Sequence, residues 1–436
     1  MYLQFSKLIL LIGDVVLLYT ALLLMMCIRF GYPIQTEVLW SHVWFFSALF
    51  PIWLSIFYVF DLYDLSMPPK SPRFPKMLFG AMGFSFLVAI VFFYLFPTQV
   101  ITPKTNLVLL VLLFSSLFTL WRLFFFGRSH SRVWWRVGLF AEDAQSEKLA
   151  QLIRSHVHMG YQPVLCHAQE DVSAQIVEHQ LNMFILPMNL HADLDQTKTI
   201  YDCLGKGVVF LDSTRAFEFF ARRIPIDSID HYWFLRNVQD QRNDVIEWGK
   251  RCMDFAVALG LLLITLPLWL CVYLAIQLDD GGPLFYRQTR VGRNGQLFDI
   301  LKFRTMRSDA EHDGAQWAQK NDTRVTRVGR LLRRTHLDEL PQVLNVLKGE
   351  ISLVGPRPER PEFVQQLEKE IPHYSMRHLV KPGVTGWAQI RFRYARSVTD
   401  AKMKFEYDLY YIKNRSLVMD ILVLIKTIQL VFRKEE

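Results

Sequence analysis

Apolar residues along this chain fall into long runs, and run length settles the first structural question. Four runs, at 8–28, 38–60, 78–96 and 107–126, are each close to the roughly 20 residues that a helix needs to cross the hydrocarbon layer. They predict four membrane-spanning helices at the start of the chain. From Arg136 the period changes: 137–140, 163–166, 183–186 and 208–211 read as short buried strands, with helical spacing at 144–156. Strands alternating with helices predict a parallel sheet with crossover connections. A fifth apolar run covers 255–278, and beyond it Asn294-Gly295 between apolar flanks predicts a tight hairpin. The last run, 417–432, is too short to span and predicts a helix lying along a membrane or packed on the preceding core.

Composition strengthens the membrane reading and narrows the partners. Hydrophobic residues make up 51% of the 436 residues and charged ones only 21%, with the apolar ones clustered. The net charge of +8 suits an anionic partner, and with membrane spans present it points to a lipid surface and away from nucleic acid. Lys7, then Lys70, Arg73 and Lys76, then Arg128, Arg132 and Arg136 occupy every second inter-span segment, which is one side of the layer. The positive-inside rule therefore places the N-terminus, the middle loop and everything after Phe126 in the cytoplasm. Asp14, inside the first run, reads as an acid near the interface. No small-residue cleavage site follows the first run, so it reads as an uncleaved span. Cys27, Cys166, Cys203, Cys252 and Cys271 form no C-x-x-C pair, which argues against a disulfide framework or a zinc site.

The middle segment lacks the feature that would make it a dinucleotide binder. Where G-x-G-x-x-G would follow the first strand, the chain reads Phe140-Ala141-Glu142-Asp143-Ala144. Two acids stand where a pyrophosphate needs backbone N–H groups. The expected role is structural, dimerising or regulatory. The fifth apolar run poses a different problem, because Lys250 and Arg251 precede it while Arg287, Arg290, Arg293, Lys302 and Arg304 come after it. A crossing would export one basic flank. Pro267 in mid-run removes one helical hydrogen bond and favours a bend. The preferred reading is a re-entrant helix over 252–278 that enters, breaks at Leu266-Pro267 and returns, leaving the residues beyond it at the membrane surface.

Candidate chemistry lies beyond that helix. Asp338 is placed to cap a helix that carries Pro341 in its first turn and ends at Gly349. Adjacent Asp338 and Glu339 have a bland explanation, capping plus a favourable helix dipole. Arg333 and Arg334 one turn upstream and Arg357 between two prolines downstream change the weighing. Cations around an acid pair suit a diphosphate substrate and a divalent cation: the carboxylates hold metal or attack phosphorus, and the arginines neutralise the leaving phosphate.

At this point the last 190 or so residues resemble a known family. Lys250-Arg251 with Asp254, the Leu266-Pro267 break, Gly281-Gly282-Pro283, Arg287-Gln288, Lys302-Phe303-Arg304, Leu337 to Gln342, Ser352 to Pro358 and Lys381 to Gly386 occur in order. Together they resemble the bacterial sugar transferase domain of monotopic phosphoglycosyl transferases. The four leading spans and the glycine-poor α/β segment are similar to the long members, the undecaprenyl-phosphate galactose or glucose phosphotransferases. The resemblance implies a membrane protein in three parts. Residues 1–130 would be a four-helix transmembrane bundle and 131–245 a degenerate Rossmann-like α/β domain. Residues 246–436 would be a mostly helical, α+β catalytic domain. It further implies transfer of hexose-1-phosphate from a UDP-sugar to undecaprenyl phosphate at the inner membrane's cytoplasmic face, as the first membrane step of exopolysaccharide, capsule or O-antigen synthesis. Asp338 would be the nucleophile and Glu339 the Mg²⁺ ligand, with Arg333, Arg357, Lys302 and Arg304 binding substrate phosphates and a homodimer as the working form. One departure stands out: after Gln389 this chain reads Ile390-Arg391-Phe392-Arg393-Tyr394 where relatives commonly have a glycine-containing segment. Donor identity is therefore left open, and an inactive membrane scaffold of polysaccharide assembly is the alternative reading.

Overall fold

The structure, a computed structural model, describes residues 2–63, 74–96, 103–129, 135–141, 144–155, 160–167, 171–186, 200–203, 205, 207–238, 244–307, 324–392 and 397–432. Lys70, Arg73, Arg132, Glu142, Asp143, Arg393 and Tyr394 lie outside these residues. The chain divides into two compact units, Met1–Ala216 and Phe217–Glu436.

The first unit opens with α1 (Tyr2–Phe30), α2 (Thr36–Val59), α3 (Phe74–Leu95) and α4 (Pro103–Ser129). Each contains a stretch long and apolar enough to cross a membrane by length and composition. Their shared core is largely aromatic: Phe46, Trp53, Phe57, Phe114 and Phe118 are fully buried. Such rings bury large areas and pack edge-on or offset, as Phe57 does on Phe114 at 5.5 Å. Asp14 is also fully buried, in an ion pair of 2.7 Å with Arg122 on α4. The sequence pattern does not pair Arg122 with Asp14, because the two lie 108 positions apart in separate apolar runs. The unit ends in a four-stranded parallel sheet of β1 (Trp135–Phe140), β2 (Tyr161–Cys166), β3 (Met183–Leu186) and β4 (Val209–Asp212), ordered β2-β1-β3-β4. Helices α5 (Ala144–Ser155) and α6 (Val172–Glu178) connect its first three strands. Helix α7 (Ser213–Ala221) leads out of the unit.

The second unit starts with a short strap that ends in α8 (His231–Val238), followed by α9 (Asp244–Asp279). Pro267, where the sequence predicted a break, does not interrupt α9, which is helical throughout. A proline forfeits its own N–H bond and strains the preceding turn, but the bonds on either side persist. Both ends of α9 pack on the same unit. Near its start, Lys250 bonds the Asp420 carboxylate (2.6 Å) and the Val354 carbonyl (3.0 Å), while Arg251 donates to the carbonyls of Val346 and Leu347. Near its end, Val272 and Ile276 bury against Phe303 and Leu332, and Asp279 accepts from the Val328 amide (3.0 Å). Between them Leu263, Ile264, Leu266 and Leu270 are exposed.

The hairpin β5 (Phe285–Val291) and β6 (Leu297–Phe303) is antiparallel, as the Asn-Gly signal predicts, with Asn294 and Gly295 both at positive φ. Then come α10 (Arg327–Arg334), a 3₁₀ turn at Leu337–Glu339, α11 (Gln342–Lys348), β7 (Ser352–Val354), α12 (Pro361–Glu370), β8 (Gly383–Thr385), α13 (Trp387–Arg391), α14 (Val398–Lys413) and α15 (Leu417–Phe432). Gly349 closes α11 in the left-handed conformation at φ 87°, which glycine adopts without penalty. Strands β7 and β8 pair in parallel over the fully buried Val354 and the α14 residues Phe405 and Leu409.

Candidate active site

The acid pair sits in a turn and does not cap a helix. Asp338 and Glu339 belong to the 3₁₀ turn closed by Glu339 N–H to the His336 carbonyl and Leu340 N–H to that of Leu337. Helix α11 begins only after Pro341, and no side chain caps it. The N-cap role predicted for Asp338 is therefore corrected. Proline, with φ preset and no N–H to satisfy, starts the helix itself, which frees the carboxylate. His336, just before the turn, is held at φ 55°, a conformation costly for most residues and common near functional sites.

Asp338 and Glu339 line a cavity of about 1120 Å³, slightly larger than the usual small-molecule site. Eleven Arg and Lys side chains and four carboxylates face it, an excess that suits a multiply charged anion. Glu339 lies between two cations, accepting from Lys302 Nζ at 3.1 Å and forming a close pair with Arg357. Burial alone would raise its carboxyl, but Arg357 and Lys302 outweigh that and hold it well below the usual carboxylate range. Asp338 behaves oppositely. Burial raises its carboxyl above the ordinary aspartate value, with Glu339 adding repulsion against the pull of Lys302 and Arg333. Asp338 makes no hydrogen bond or ion pair among the described residues, whereas Glu359 faces Arg290 (3.8 Å) and Asp408 faces Arg377 (3.1 Å).

Each remaining candidate has a definite place. Lys302 is on β6, opposite Tyr286 of β5. Arg333 projects from α10, where its Nε donates to Thr305 Oγ1 (2.9 Å). Helix α10 lies so close to the end of β6 that a Cβ on Gly329 would come within 2.0 Å of the Thr305 carbonyl oxygen. Arg304 lines the cavity, but its guanidinium pairs with Asp280 and only 7% of the side chain is exposed. Pro267 is not among the residues that line the cavity. The sequence missed the far wall: Tyr374, Arg377, Lys404 and Asp408. Arg377 donates to Asp408, to Tyr374 Oη and to the Arg357 carbonyl (2.9 Å), so it braces the residue that pairs with Glu339. Its one available signal was i, i+4 spacing of Lys404 and Asp408 on one face of α14.

A raised carboxylate without an ion-pair partner among the described residues, beside one locked by cations in a basic cleft, is an arrangement that can take a phosphate-bearing ligand. Known proteins point the same way. Residues 245–434 match the family model described as bacterial sugar transferase. The chain is 42% identical over 187 residues to the exopolysaccharide production protein PSS of Rhizobium leguminosarum bv. phaseoli, a match covering 41% of this chain and 92% of that protein. It belongs to the bacterial sugar transferase family. It is 48% identical over 180 residues to a UDP-N-acetylgalactosamine-undecaprenyl-phosphate N-acetylgalactosaminephosphotransferase of Aeromonas hydrophila, covering 41% of this chain and 43% of the relative. It is 43% identical over 181 residues to a UDP-glucose:undecaprenyl-phosphate glucose-1-phosphate transferase of Escherichia coli (strain K12), covering 41% and 39%. The matched part thus spans about two fifths of the length of these last two.

Proposed function

We propose that this protein transfers a sugar-1-phosphate from a UDP-sugar to undecaprenyl phosphate through a covalent intermediate on Asp338, releasing UMP. One observation carries the assignment: of the carboxylates facing the cavity, Asp338 alone forms no ion pair or hydrogen bond among the described residues. A nucleophile must keep its lone pairs available, and a neighbour locked by Lys302 and Arg357 cannot serve. Asp338 attacks the sugar-bearing phosphorus, the bond to UMP breaks, and Arg357 and Arg333 offset charge on the phosphate oxygens. Undecaprenyl phosphate then attacks the same phosphorus and frees the carboxylate. One cavity thus serves a soluble donor and a lipid acceptor in turn, with ping-pong kinetics.

The residues present fit a magnesium ion. No three metal-ligating side chains converge among the described residues, and Mg²⁺ commonly takes one or two carboxylates and fills its shell with phosphate oxygens and water. Glu339 would hold it, in competition with Lys302. Bound there, the metal supplies positive charge against the diphosphate.

Placement at the cytoplasmic face of the inner membrane belongs to the same reading, with the four N-terminal helices as spans and residues 135–212 as a glycine-poor nucleotide-type fold. A re-entrant α9 is supported by its ends. A crossing helix carries its ends to opposite sides of a layer about 30 Å thick, yet residues 250–251 and 272–279 both dock on one folded unit. This reading also has the protein act as a homodimer, which light scattering in detergent checks. The decisive test of the chemistry is incubation with radiolabelled UDP-sugar and no lipid. Label should remain on the protein, vanish in Asp338→Asn and be discharged by undecaprenyl phosphate. Undiminished turnover in Asp338→Asn would overturn the aspartyl intermediate, and no UMP release by the unmutated chain would leave the inactive-scaffold reading standing.

A further inference from the structure

The family match begins at residue 245, but the folded unit around the cavity begins at Phe217. The intervening strap is built into the core: Ile224 and Ile226 are at most 2% exposed and share one cluster with Phe405, Leu409 and Tyr410 of α14. Its polar contacts converge on the same helix. Ile224 N–H donates to the Glu406 carbonyl (3.1 Å), Ile226 N–H to Glu406 Oε1 (3.3 Å) and Arg223 Nη1 to Glu406 Oε2 (2.9 Å). Arg222 bonds Tyr410 Oη through its side chain, and its carbonyl accepts from Trp387 Nε1, both at 3.0 Å.

Helix α14 therefore has two working faces. Met403, Glu406 and Tyr410 meet the strap, while Ala401, Lys404, Phe405 and Asp408 face the cavity. From Asp408 a continuous hydrogen-bonded path runs through Arg377 to the Arg357 carbonyl, and from the Arg357 guanidinium to Glu339.

We infer that Arg223, clamping Glu406, is a positioning residue for the reaction. It sets the depth of α14 against the cavity and through Asp408 and Arg377 the stance of Arg357 beside the acid pair. The catalytic unit of this chain thus includes a segment that the family match leaves out. The buried backbone and ion-pair contacts to Glu406 do this. Lys402 and Asp227 form a more exposed strap pair, with Asp227 70% exposed, of the kind that contributes little.

This inference rests on the transferase reading, and two readouts on the full-length protein separate them. The first is donor kinetics. Arg223→Ala should raise KM for the UDP-sugar about tenfold with kcat changed less, Arg223→Lys should recover most of the loss, and Lys402→Ala should leave KM within about twofold. The second is amide hydrogen exchange without substrate. In Arg223→Ala, amides of 398–413 and 374–379 should exchange faster while those of 285–303 are unchanged. An unaltered KM in a folded Arg223→Ala protein, or exchange rising equally across the unit, overturns the positioning role. Missing turnover in the unmutated protein counts against the transferase reading alone, because the exchange comparison needs no substrate.

Discussion

The Asp14–Arg122 pair gives a prediction whose size comes from geometry. Both side chains are fully buried, 2.7 Å apart, on helices separated by 108 positions in the chain. At an effective dielectric constant of 20, two unit charges at that distance attract by about 6 kcal/mol. Loss of hydration on burial offsets much of this, so the pair itself adds little net stability, while stranding one member costs about 3–5 kcal/mol. Arg122 softens its own isolation slightly, lying 4.5 Å above the Phe118 ring. Asp14→Ala and Arg122→Ala should each destabilise the first unit by about 3–5 kcal/mol, whereas Asp14→Leu combined with Arg122→Met should lose about 1 kcal/mol or less. Unfolding of the full chain in mixed micelles, followed by helical circular dichroism, measures all three. Single losses below about 1 kcal/mol, or single losses that simply add in the double variant, would refute the account.

Three further outcomes are expected. Because Asp338 must be ionised to attack and burial raises its carboxyl, kcat/KM for the donor should fall as pH drops through a value above the usual aspartate value of about 3.9; a pH–rate profile whose acidic limb lies at or below that value removes the argument. Arg357→Ala should lower kcat by about 10²–10³ while the protein stays folded, read by UMP release beside a thermal melt. In Gly329→Ala the new methyl meets the Thr305 carbonyl at 2.0 Å, so α10 must shift. The cost should be about 1–3 kcal/mol with Arg333 displaced, and an unshifted melting temperature would show that the approach is looser than described.

Elements whose pattern is set by local physics could be read from the chain alone. Four apolar runs of spanning length, an Asn-Gly hairpin and the Gly349 stop each depend on a few neighbouring residues, and each matches an observed element. What failed needed tertiary information. Asp338 looked like a helix cap because nothing in the string Leu337–Pro341 tells a 3₁₀ turn from the first turn of α11. The ion pair that engages Arg304, which the family resemblance offered as a phosphate ligand and which lines the cavity, could not be read from the chain either. The strand stops at Phe303, and the Arg304 guanidinium turns to Asp280 just beyond α9. Arg377 and Asp408 come together from a 3₁₀ turn and a helix 31 residues apart, and no spacing rule connects them. The Arg122 partner of Asp14 was hidden in the same way.

Arg251 reaches from the apolar helix to the last carbonyls of α11, at Val346 and Leu347, while the acid pair lies just ahead of that helix's first residue. Helix α11 has only seven residues, so it works as a stiff lever about 10 Å long. A displacement of the start of α9 is therefore carried through Arg251 along the whole of α11, toward the turn that holds the two carboxylates.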